Sequence, residues 1–419
     1  MRVYSVSGMG GHRSRLPLAI VVAIVAAGAA TMVLRPRSGL IEPAAVEVEA
    51  YFSAAELDRA EDFRSLQRLL GLAGIGLSGL TLAIVALRPP RAVQTLLERA
   101  GRRPIRGAAL VGAGLVLVLT VVELPLSALR HERATDVGLA TQDWLPWLGD
   151  LAKSTGISGL FAAGGAALAL ALVRRFPRGW WAPAAACVTA LGVITIYLFP
   201  VVVDPLFNDF ERLPDGELRS DVLELAERSG VDVGEVYRVD ASRRTTAANA
   251  YVGGLGHTKR VVLYDNLLDE FPADEVRSVV AHELAHVKNR DVPRGLLWLA
   301  LVAPAGTFLA QQLARRLRGK GWERPGPEVV PVLAFSLAVV SFAAGVGSNV
   351  LSRQVEARAD AFSIELTDDP AAHIRLERRL SVNNVGDPDP PSLLHLLFGT
   401  HPTTIDRIGI GEAYRSGAR

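Results

Sequence analysis

The chain is organised by long apolar runs that alternate with polar, often arginine-rich connections. A helix needs about 20 apolar residues to cross a hydrocarbon core, and seven runs reach or approach that length. In lipid, the backbone polar groups of a span must bond to one another, so these runs predict helices. A buried core helix could explain one run, but seven predict an all-α, multi-pass membrane protein. The runs are residues 16–34, 69–87, 107–126, 157–173, 180–203, 296–313 and 329–351.

The runs divide the chain into five parts. We expect a disordered N-terminus at 1–15, five membrane helices within 16–203 and two more within 296–351. The polar segments 204–295 and 352–419 lie between and after these helices. Neither polar segment has enough apolar residues for an obvious core of its own, so both are expected to pack together against the membrane bundle.

The first run has a second interpretation, because preceding arginines and following small residues are also typical of a cleaved signal peptide. Its length favours a retained span. The loops on the N-terminal side of the membrane hold about twice as many Lys and Arg residues as the short loops opposite. The positive-inside rule then puts the N-terminal side in the cytoplasm and segment 204–295 outside it. Loops that wrap into a chamber can escape this rule, so the sidedness stays open.

Composition narrows the classes of partner. Half of the 419 residues are hydrophobic, 21% are charged and the formal net charge is +2. A net charge near zero gives no reason to expect nucleic acid. Cys187 is the only cysteine, which excludes an intramolecular disulfide and a zinc site built on cysteines. The lipid bilayer is therefore the partner that composition indicates.

The most informative motif is H-E-L-A-H at residues 282–286. Pro272 and two acidic residues soon after it predict the start of a helix upstream. Residues four apart share one face of a helix, so His282 and His286 can bind the same metal ion. Glu283 lies beside them, where a carboxylate can take a proton from a water that zinc has acidified. By itself, the motif could also be a surface helix with two unpaired histidines.

A catalytic zinc site needs a third protein ligand and one open position. The motif E-A-R-A-D at residues 356–360 follows the seventh run directly and is expected to continue its helix. Glu356 would be the third ligand, and Asp360, one turn on, would accept a hydrogen bond from a ligand imidazole and determine its tautomer. Alone, this motif would predict a solvated amphipathic helix. Together with the two histidines it predicts one Zn²⁺ per chain.

Two short apolar segments, one beginning near Asn249 and one at residues 260–264, predict a small β-hairpin. An exposed edge strand near the metal could hold an extended peptide by main-chain hydrogen bonds. Asn249, Ala250 and Tyr251 are the residues expected to contact such a peptide. A purely structural hairpin explains the same pattern equally well.

The combination of H-E-L-A-H, E-A-R-A-D, A-N-A-Y and seven spans resembles the CAAX prenyl protease 1 family of integral-membrane zinc endopeptidases, which is related to the HtpX-like membrane proteases. The segments E-L-P at 123–125, P-V-V-V-D-P-L-F-N at 200–208 and H-P-T at 401–403 are similar to other motifs of that family. The resemblance implies that the membrane helices form a barrel-like chamber with the zinc site inside, near one membrane face.

The resemblance also implies roles for further residues. Asn249 would contact bound peptide or an imidazole, and His401 and Arg407 would stabilise the oxyanion or the substrate. For His401, a structural role at a helix junction is an equal alternative. Arg407 could instead form an ion pair with Asp360.

These features favour a membrane-embedded zinc metalloendopeptidase that hydrolyses peptide bonds of prenylated or hydrophobic membrane-associated substrates. An HtpX-like quality-control protease is the alternative within this class. A non-catalytic channel or transporter with a structural metal is the alternative from another class. Against that last alternative, charges within the spans are scarce, and only His401 offers itself as the fourth ligand of a structural zinc.

The expected partners are a peptide or protein substrate, lipidated or not, and the lipid bilayer. The expected location is an integral, multi-pass position in a membrane, which is the cell membrane if the source is bacterial. The oligomeric state is left open, and a monomer is compatible with the sequence.

Overall fold

Seven membrane helices dominate the computed structural model, which describes residues 15–254, 259–319, 322 and 325–417. The predicted disorder at the N-terminus therefore falls almost entirely outside the described residues. Within them, seven helices are long and apolar enough to cross a membrane, as the seven apolar runs predict. These helices, numbered along the chain with the shorter ones, are α1 Leu16–Leu34, α2 Ala54–Leu87, α4 Pro104–Asp136, α5 Trp144–Arg175, α6 Trp181–Val202, α10 Asp291–Arg318 and α11 Val330–Thr367. The shorter helices are α3 Arg91–Ala100, α7 Glu217–Ser229, α8 Asp265–Glu270, α9 Ala273–Lys288, α12 Pro370–Asn383, α13 Ser392–Phe398 and α14 Thr404–Arg415.

Several spans extend well beyond their apolar runs. Helix α2 begins at a capping box, in which the Ser53 hydroxyl accepts from the Glu56 N–H and the Glu56 carboxylate accepts from the Ser53 N–H. Such a cap satisfies backbone groups that the first turn leaves unpaired. Helix α11 likewise continues past its apolar run, so Glu356 and Asp360 lie on the same helix as the seventh span. This continuation agrees with the prediction from E-A-R-A-D.

Small residues and side-chain hydrogen bonds hold the spans together. A Cβ at Gly112 of α4 would lie 2.4 Å from the carbonyl oxygen of Ala162 on α5, so only glycine allows this approach. Close contacts of this kind are typical of membrane helices, because in lipid the hydrophobic effect does not drive helices together and van der Waals packing stabilises their association. Trp298 of α10 donates from Nε1 to Thr31 Oγ1 of α1 at 3.0 Å. The first run is therefore packed into the bundle; whether it is retained in the mature chain stays a prediction.

The polar segment before α10 contains a four-stranded mixed sheet. Its strands are β1 Phe210–Arg212, β2 Glu235–Val239, β3 Ala250–Gly253 and β4 Arg260–Tyr264. Strands β3 and β4 form the predicted hairpin and pair antiparallel. Strands β1 and β2, which the sequence did not predict, extend the sheet in the order β1-β2-β4-β3, with β2 parallel to β4. Strand β3 is therefore an edge strand.

A hydrophobic core joins this sheet to the helices around it. Leu225 of α7, Leu263 of β4 and Leu284 of α9 are fully buried in it, and Leu376 of α12 closes it from the C-terminal segment. The two polar segments thus share one core, and most of its residues come from segment 204–295. Helix α9 also packs against α7, α11 and α12, and its His282 faces α11.

The two ends of the bundle differ in character. Helix α9 lies where α10 begins and where α11 carries its polar residues, so the metal-binding motifs share one end. The connections at the opposite end of the spans include exposed arginines such as Arg88, Arg102, Arg103 and Arg106. The charge asymmetry that the sequence shows therefore separates the two ends of the folded bundle.

Candidate metal centre and active site

Three side chains from two helices converge at the candidate metal centre. On α9, His282 Nε2 and His286 Nε2 lie 3.2 Å apart, as their spacing on one helical face predicts. Glu356 Oε2 of α11 lies 3.1 Å from His282 Nε2 and 3.6 Å from His286 Nε2. These three side chains form a group whose ligand atoms all lie within 4.8 Å of one another.

Each histidine is oriented by a carboxylate on its other nitrogen. His282 donates from Nδ1 to Asp360 Oδ1 at 2.8 Å, and His286 donates from Nδ1 to Asp291 Oδ2 at 3.1 Å. A carboxylate can only accept, so it holds the proton on Nδ1 and leaves the lone pair on Nε2. Both Nε2 lone pairs therefore face the same point as the Glu356 carboxylate, which is the donor set that zinc prefers.

Sequence reasoning missed Asp291, although it is only five residues after His286. The chain turns between α9 and α10 at Arg290, which has a φ of 56° in the left-handed region. This turn brings the first residue of α10 back to the His286 ring. Asp291 is itself held by an ion pair with Arg358 of α11. The signal that could have found it is an acidic residue soon after the second histidine, but no local pattern reveals the turn.

The approach of α9 to α11 depends on small residues. Ser363 Oγ of α11 donates to the backbone carbonyl of Ser278 on α9 at 2.8 Å, and the two hydroxyl oxygens are 3.2 Å apart. Ser278 and Ser363 are both fully buried, so a larger side chain at either position would separate the helices and move Glu356 away from the histidines.

The Nε2 atoms of His282 and His286 and the carboxylate of Glu356 face one another at this point. Because two lone pairs and a negative charge repel one another, a cation is required between them. Burial lowers the pKa of His282, but hydrogen bonds to Asp360 and Glu356 outweigh this and raise it to about 10. For His286, hydrogen bonds to Asp291 and Glu356 likewise outweigh burial and raise the pKa to about 9. A proton and a metal ion would thus compete for one position. The residues present fit a divalent metal.

Glu283 and Asn249 line a small cavity of about 100 Å³ that His282 also borders. Glu283 is half-buried on α9, and burial raises the pKa of its carboxyl above the ordinary value. A raised pKa makes a carboxylate a better proton acceptor. His401 also lines this cavity, together with Val279. The predicted base and two of the predicted substrate-contacting residues therefore share one space.

His401 contacts the candidate ligand set from the C-terminal segment. Its Nε2 lies 3.2 Å from Glu356 Oε2, and its Nδ1 is 3.0 Å from Thr400 Oγ1. Burial lowers the pKa of His401 below the ordinary value. The ring is therefore neutral at pH 7 and has one N–H to donate near the metal centre.

Arg407 lines the same cavity as Glu283, but its guanidinium is bound to carboxylates. It donates from Nε and NH2 to the two oxygens of Asp360, at 2.9 and 2.6 Å, and its NH1 pairs with Glu377 at 2.7 Å. All of its nitrogens thus bind carboxylates, which matches the ion-pair alternative for this residue. The pKa of Arg407 is raised far above its ordinary value because these two carboxylates outweigh burial.

His373 and Glu377 complete this buried network, and sequence reasoning gave neither a role. His373 Nε2 donates to the carbonyl oxygen of Arg407 at 3.2 Å. Burial lowers the pKa of His373 to about 4, so this ring stays neutral. Burial raises the pKa of Glu377 to about 7. One oxygen of Glu377, Oε1, has no hydrogen-bond partner among the described residues.

The predicted peptide-binding segment begins at the same cavity. Asn249 accepts a hydrogen bond from Tyr264 N–H through its carbonyl, and its side-chain Oδ1 accepts from Ala250 N–H. Tyr251 points elsewhere, since its hydroxyl lies 3.2 Å from Asp204 Oδ2. Because alternate residues of an antiparallel strand face opposite edges, the backbone groups of Ala250 and Val252 lie on the unpaired edge of β3.

Comparison with known proteins identifies the family. The family description "Peptidase family M48" matches residues 212–410, and "CAAX prenyl protease N-terminal, five membrane helices" matches residues 50–209. The uncharacterized metalloprotease YhfN of Bacillus subtilis is 31% identical over 372 residues, with 87% of each chain covered. The chain belongs to peptidase family M48. It is a membrane-embedded metalloendopeptidase that acts on peptide substrates, and the resemblance drawn from its motifs is confirmed.

Relatives named CAAX prenyl proteases match a smaller part of the chain. The CAAX prenyl protease 1 homolog of Arabidopsis thaliana is 32% identical over 228 residues, which cover 52% of this chain and 52% of that protein. CAAX prenyl protease 1 of Saccharomyces cerevisiae is 33% identical over 180 residues, 41% of this chain and 39% of that one. The crystal structure of S. mikatae Ste24p has a TM-score of 0.75, with 95% of this chain and 98% of that chain covered at 20% identity. The predicted all-helical membrane fold with its small sheet is confirmed by this likeness.

Proposed function

We propose that the metal of this peptidase is a single Zn²⁺, held by His282, His286 and Glu356, and that its substrates are hydrophobic or lipidated peptides at the membrane. The convergence of the two Nε2 atoms and Glu356 Oε2 within 4.8 Å carries the proposal. A structural zinc needs a fourth protein ligand. Among the described residues, His401 is not part of this converging group. An open fourth position favours catalysis over a structural metal in a channel.

Zinc at this position would supply a Lewis acid and a water whose pKa lies near 7. Glu283 is next to His282 in sequence and faces the cavity, so its carboxylate can take the proton from that water. The same carboxylate can then pass the proton to the leaving amine nitrogen. His401 can donate its N–H to the oxygen on which negative charge develops.

Arg407 has a different role in this proposal from the one first expected of it. Its nitrogens are occupied by Asp360 and Glu377. We therefore assign it as a positioning residue that holds Asp360, which in turn holds the His282 ring. Asp291 holds the His286 ring in the same way as Asp360 holds the His282 ring.

The edge strand β3 is proposed to bind the substrate. It begins at Ala250, directly after Asn249 of the cavity, and the backbone groups of Val252 lie on its edge that pairs with no other strand among the described residues. An extended peptide could pair with that edge whatever its side chains. The relatives named CAAX prenyl proteases support a lipidated substrate, whereas an HtpX-like protease would need no lipid anchor.

The deciding experiment is peptide cleavage by the detergent-purified protein. A farnesylated peptide and its unmodified twin are compared, with Glu283→Gln as the blank. We expect Glu283→Gln to keep its zinc and lose at least about a hundredfold in kcat, because general acid–base catalysis contributes about 10²–10⁴-fold. Glu365→Gln, an exposed carboxylate on α11, is the matched control and should cleave normally.

Each outcome has a clear meaning. Preference for the farnesylated peptide supports a lipidated substrate, and equal cleavage of both peptides supports a general membrane-associated protease. Cleavage by Glu283→Gln at the wild-type rate would contradict the proposed mechanism.

A further inference from the structure

His401 is placed by the path of its backbone rather than by packing of its ring. Its side chain is 54% exposed, although its Nε2 lies 3.2 Å from Glu356 Oε2. Among the described residues, the other hydrogen bond of the ring joins Nδ1 to the hydroxyl of Thr400, the preceding residue. Neither contact fixes the backbone that carries the ring. Whatever holds the chain on either side of His401 therefore decides where its N–H lies.

The backbone just before His401 is held by Arg353 of α11. Arg353 donates from NH1 to the carbonyl oxygen of Gly399 at 2.6 Å and to that of His395 at 3.3 Å. Gly399 directly follows the last residue of α13. At such a helix end, carbonyl groups lack partners within the helix and a positive charge is favoured. Arg353 thus fixes the end of α13, two residues before His401.

Arg353 lies on the same face of α11 as Glu356. Residues spaced by four and then three positions share one face of a helix, and Asn349, Arg353 and Glu356 have this spacing. Asn349 also holds α13, since its Nδ2 donates to the carbonyl oxygen of Leu397 at 2.8 Å. One face of α11 therefore carries both the end of α13 and the metal centre, so their relative position is set by a single rigid helix.

The chain after His401 is held independently of Arg353. Helix α14 begins with a capping box, in which the Thr403 hydroxyl accepts from the Asp406 N–H at 3.1 Å. Further along α14, Arg407 donates to both oxygens of Asp360 on α11. His401 therefore lies in a short connection between two points that are each fixed to α11. Loss of Arg353 would release the first point and leave the second in place.

We propose that Arg353 is a positioning residue that places His401 beside the metal centre. By holding the Gly399 carbonyl, it directs the His401 N–H to where the oxygen of the cleaved peptide bond would gain negative charge. The inference rests on the proposed function, because His401 is the donor that Arg353 serves. Arg353 itself forms no hydrogen bond or ion pair with the three metal-binding side chains. Its loss should therefore leave zinc binding unchanged.

The first test measures cleavage of whichever of the two peptides the wild type cleaves faster. Removal of one oxyanion donor lowers kcat by about 10²–10³-fold, so Arg353→Ala, which misplaces the donor, should lower kcat at least about tenfold at unchanged KM and zinc content. Arg353→Lys should keep most of kcat, because one nitrogen makes both bonds and an ammonium has three donors. Arg64→Ala is the matched control and should cleave normally. Arg64 of α2 also donates to two carbonyl oxygens of the C-terminal segment, those of Asn384 and Val385.

A double-mutant cycle with His401→Ala separates this positioning from a general structural role. Where His401 is already absent, adding Arg353→Ala should lower kcat by less than about twofold, because the two changes remove the same donor. A further loss of about tenfold in that background would overturn the proposal, since Arg353 would then act through another residue. Wild-type kcat in Arg353→Ala beside an impaired His401→Ala would also overturn it.

Amide hydrogen exchange tests the positioning without relying on catalysis. The N–H of Gly399 donates to the carbonyl oxygen of His395 within the last turn of α13. This amide and that of Phe398 should exchange at least about tenfold faster in Arg353→Ala than in the wild type or Arg64→Ala, because the end of α13 opens more often. Unchanged exchange in Arg353→Ala would refute the proposal. If exchange is faster but His401→Ala cleaves as the wild type does, the proposed role of His401 fails and the positioning by Arg353 stands.

Discussion

Asp360→Asn tests how the buried network supports the metal centre. The Asp360 carboxylate is fully buried and accepts three hydrogen bonds, from His282 Nδ1 at 2.8 Å and from Arg407 at 2.9 and 2.6 Å. Asparagine offers one oxygen and one amide NH₂ in the same space. If the NH₂ faces His282, the ring must accept at Nδ1, which moves its proton to Nε2, the atom that should bind metal. If the NH₂ faces Arg407, two hydrogen-bond donors, the amide and the guanidinium, face each other with no acceptor between them.

Both orientations carry a cost that can be estimated. Loss of an outer hydrogen-bond partner of a ligand lowers metal affinity by about 10–100-fold, which is about 1.4–2.7 kcal/mol. Breaking a buried ion pair destabilises a fold by about 3–5 kcal/mol. Arg407 keeps Glu377 at 2.7 Å as a partner, so the loss should lie near the lower end of that range.

The assay is a competition titration of zinc against a chelator, together with thermal unfolding in detergent. Glu365→Gln, which neutralises an exposed carboxylate further along α11, is the control and should change neither quantity. Wild-type zinc affinity in Asp360→Asn would refute the link through His282. A lower unfolding temperature at unchanged affinity would show that Asp360 serves folding alone.

Three further predictions follow from the charges of the site and of the bundle. Zinc binding at pH 7 should release at least one proton, because the pKa values of the two histidines are raised to about 9 and 10 in the metal-free chain; calorimetry in buffers of different ionisation enthalpy measures this, and no release would contradict it. The free energy of unfolding should fall in acid because burial lowers the pKa of His373 from about 6.5 to about 4. The stabilisation by the neutral ring is complete above pH 6.5, and on the order of 3 kcal/mol is lost as the pH falls to 4. His373→Gln should flatten that pH dependence of unfolding, and an equally steep one would argue against the buried neutral ring. The last prediction concerns the orientation in the membrane and uses single cysteines introduced into a Cys187→Ala protein. The positive-inside rule predicts that, in intact cells, an impermeant maleimide labels a cysteine at position 224 but not one at position 102. The reverse pattern would place the metal centre in the cytoplasm.

Much of the architecture could be predicted because it depends on patterns within one segment. Apolar runs identify spans, since each helix satisfies its own backbone in lipid. The lengths of the helices were predicted less well. The run 69–87 is only part of α2, which begins at Ala54 because a capping box and an amphipathic stretch precede the run. Strands β1 and β2 went unpredicted because short strands are defined by their partners, here Val239 opposite Phe210 and Val261 beside Val236.

The sequence by itself determined the seven spans and the shared face of His282 and His286, because helical periodicity acts over a few residues. It also put Glu356 and Asp360 one turn apart on one helix. Only the tertiary structure decided that Glu356 lies 3.1 Å from His282, since this depends on the packing of α9 against α11. The same holds for Asp291, which the turn at Arg290 directs to His286. Such contacts join segments far apart in the chain or across a turn, where no local rule reports which residues will meet.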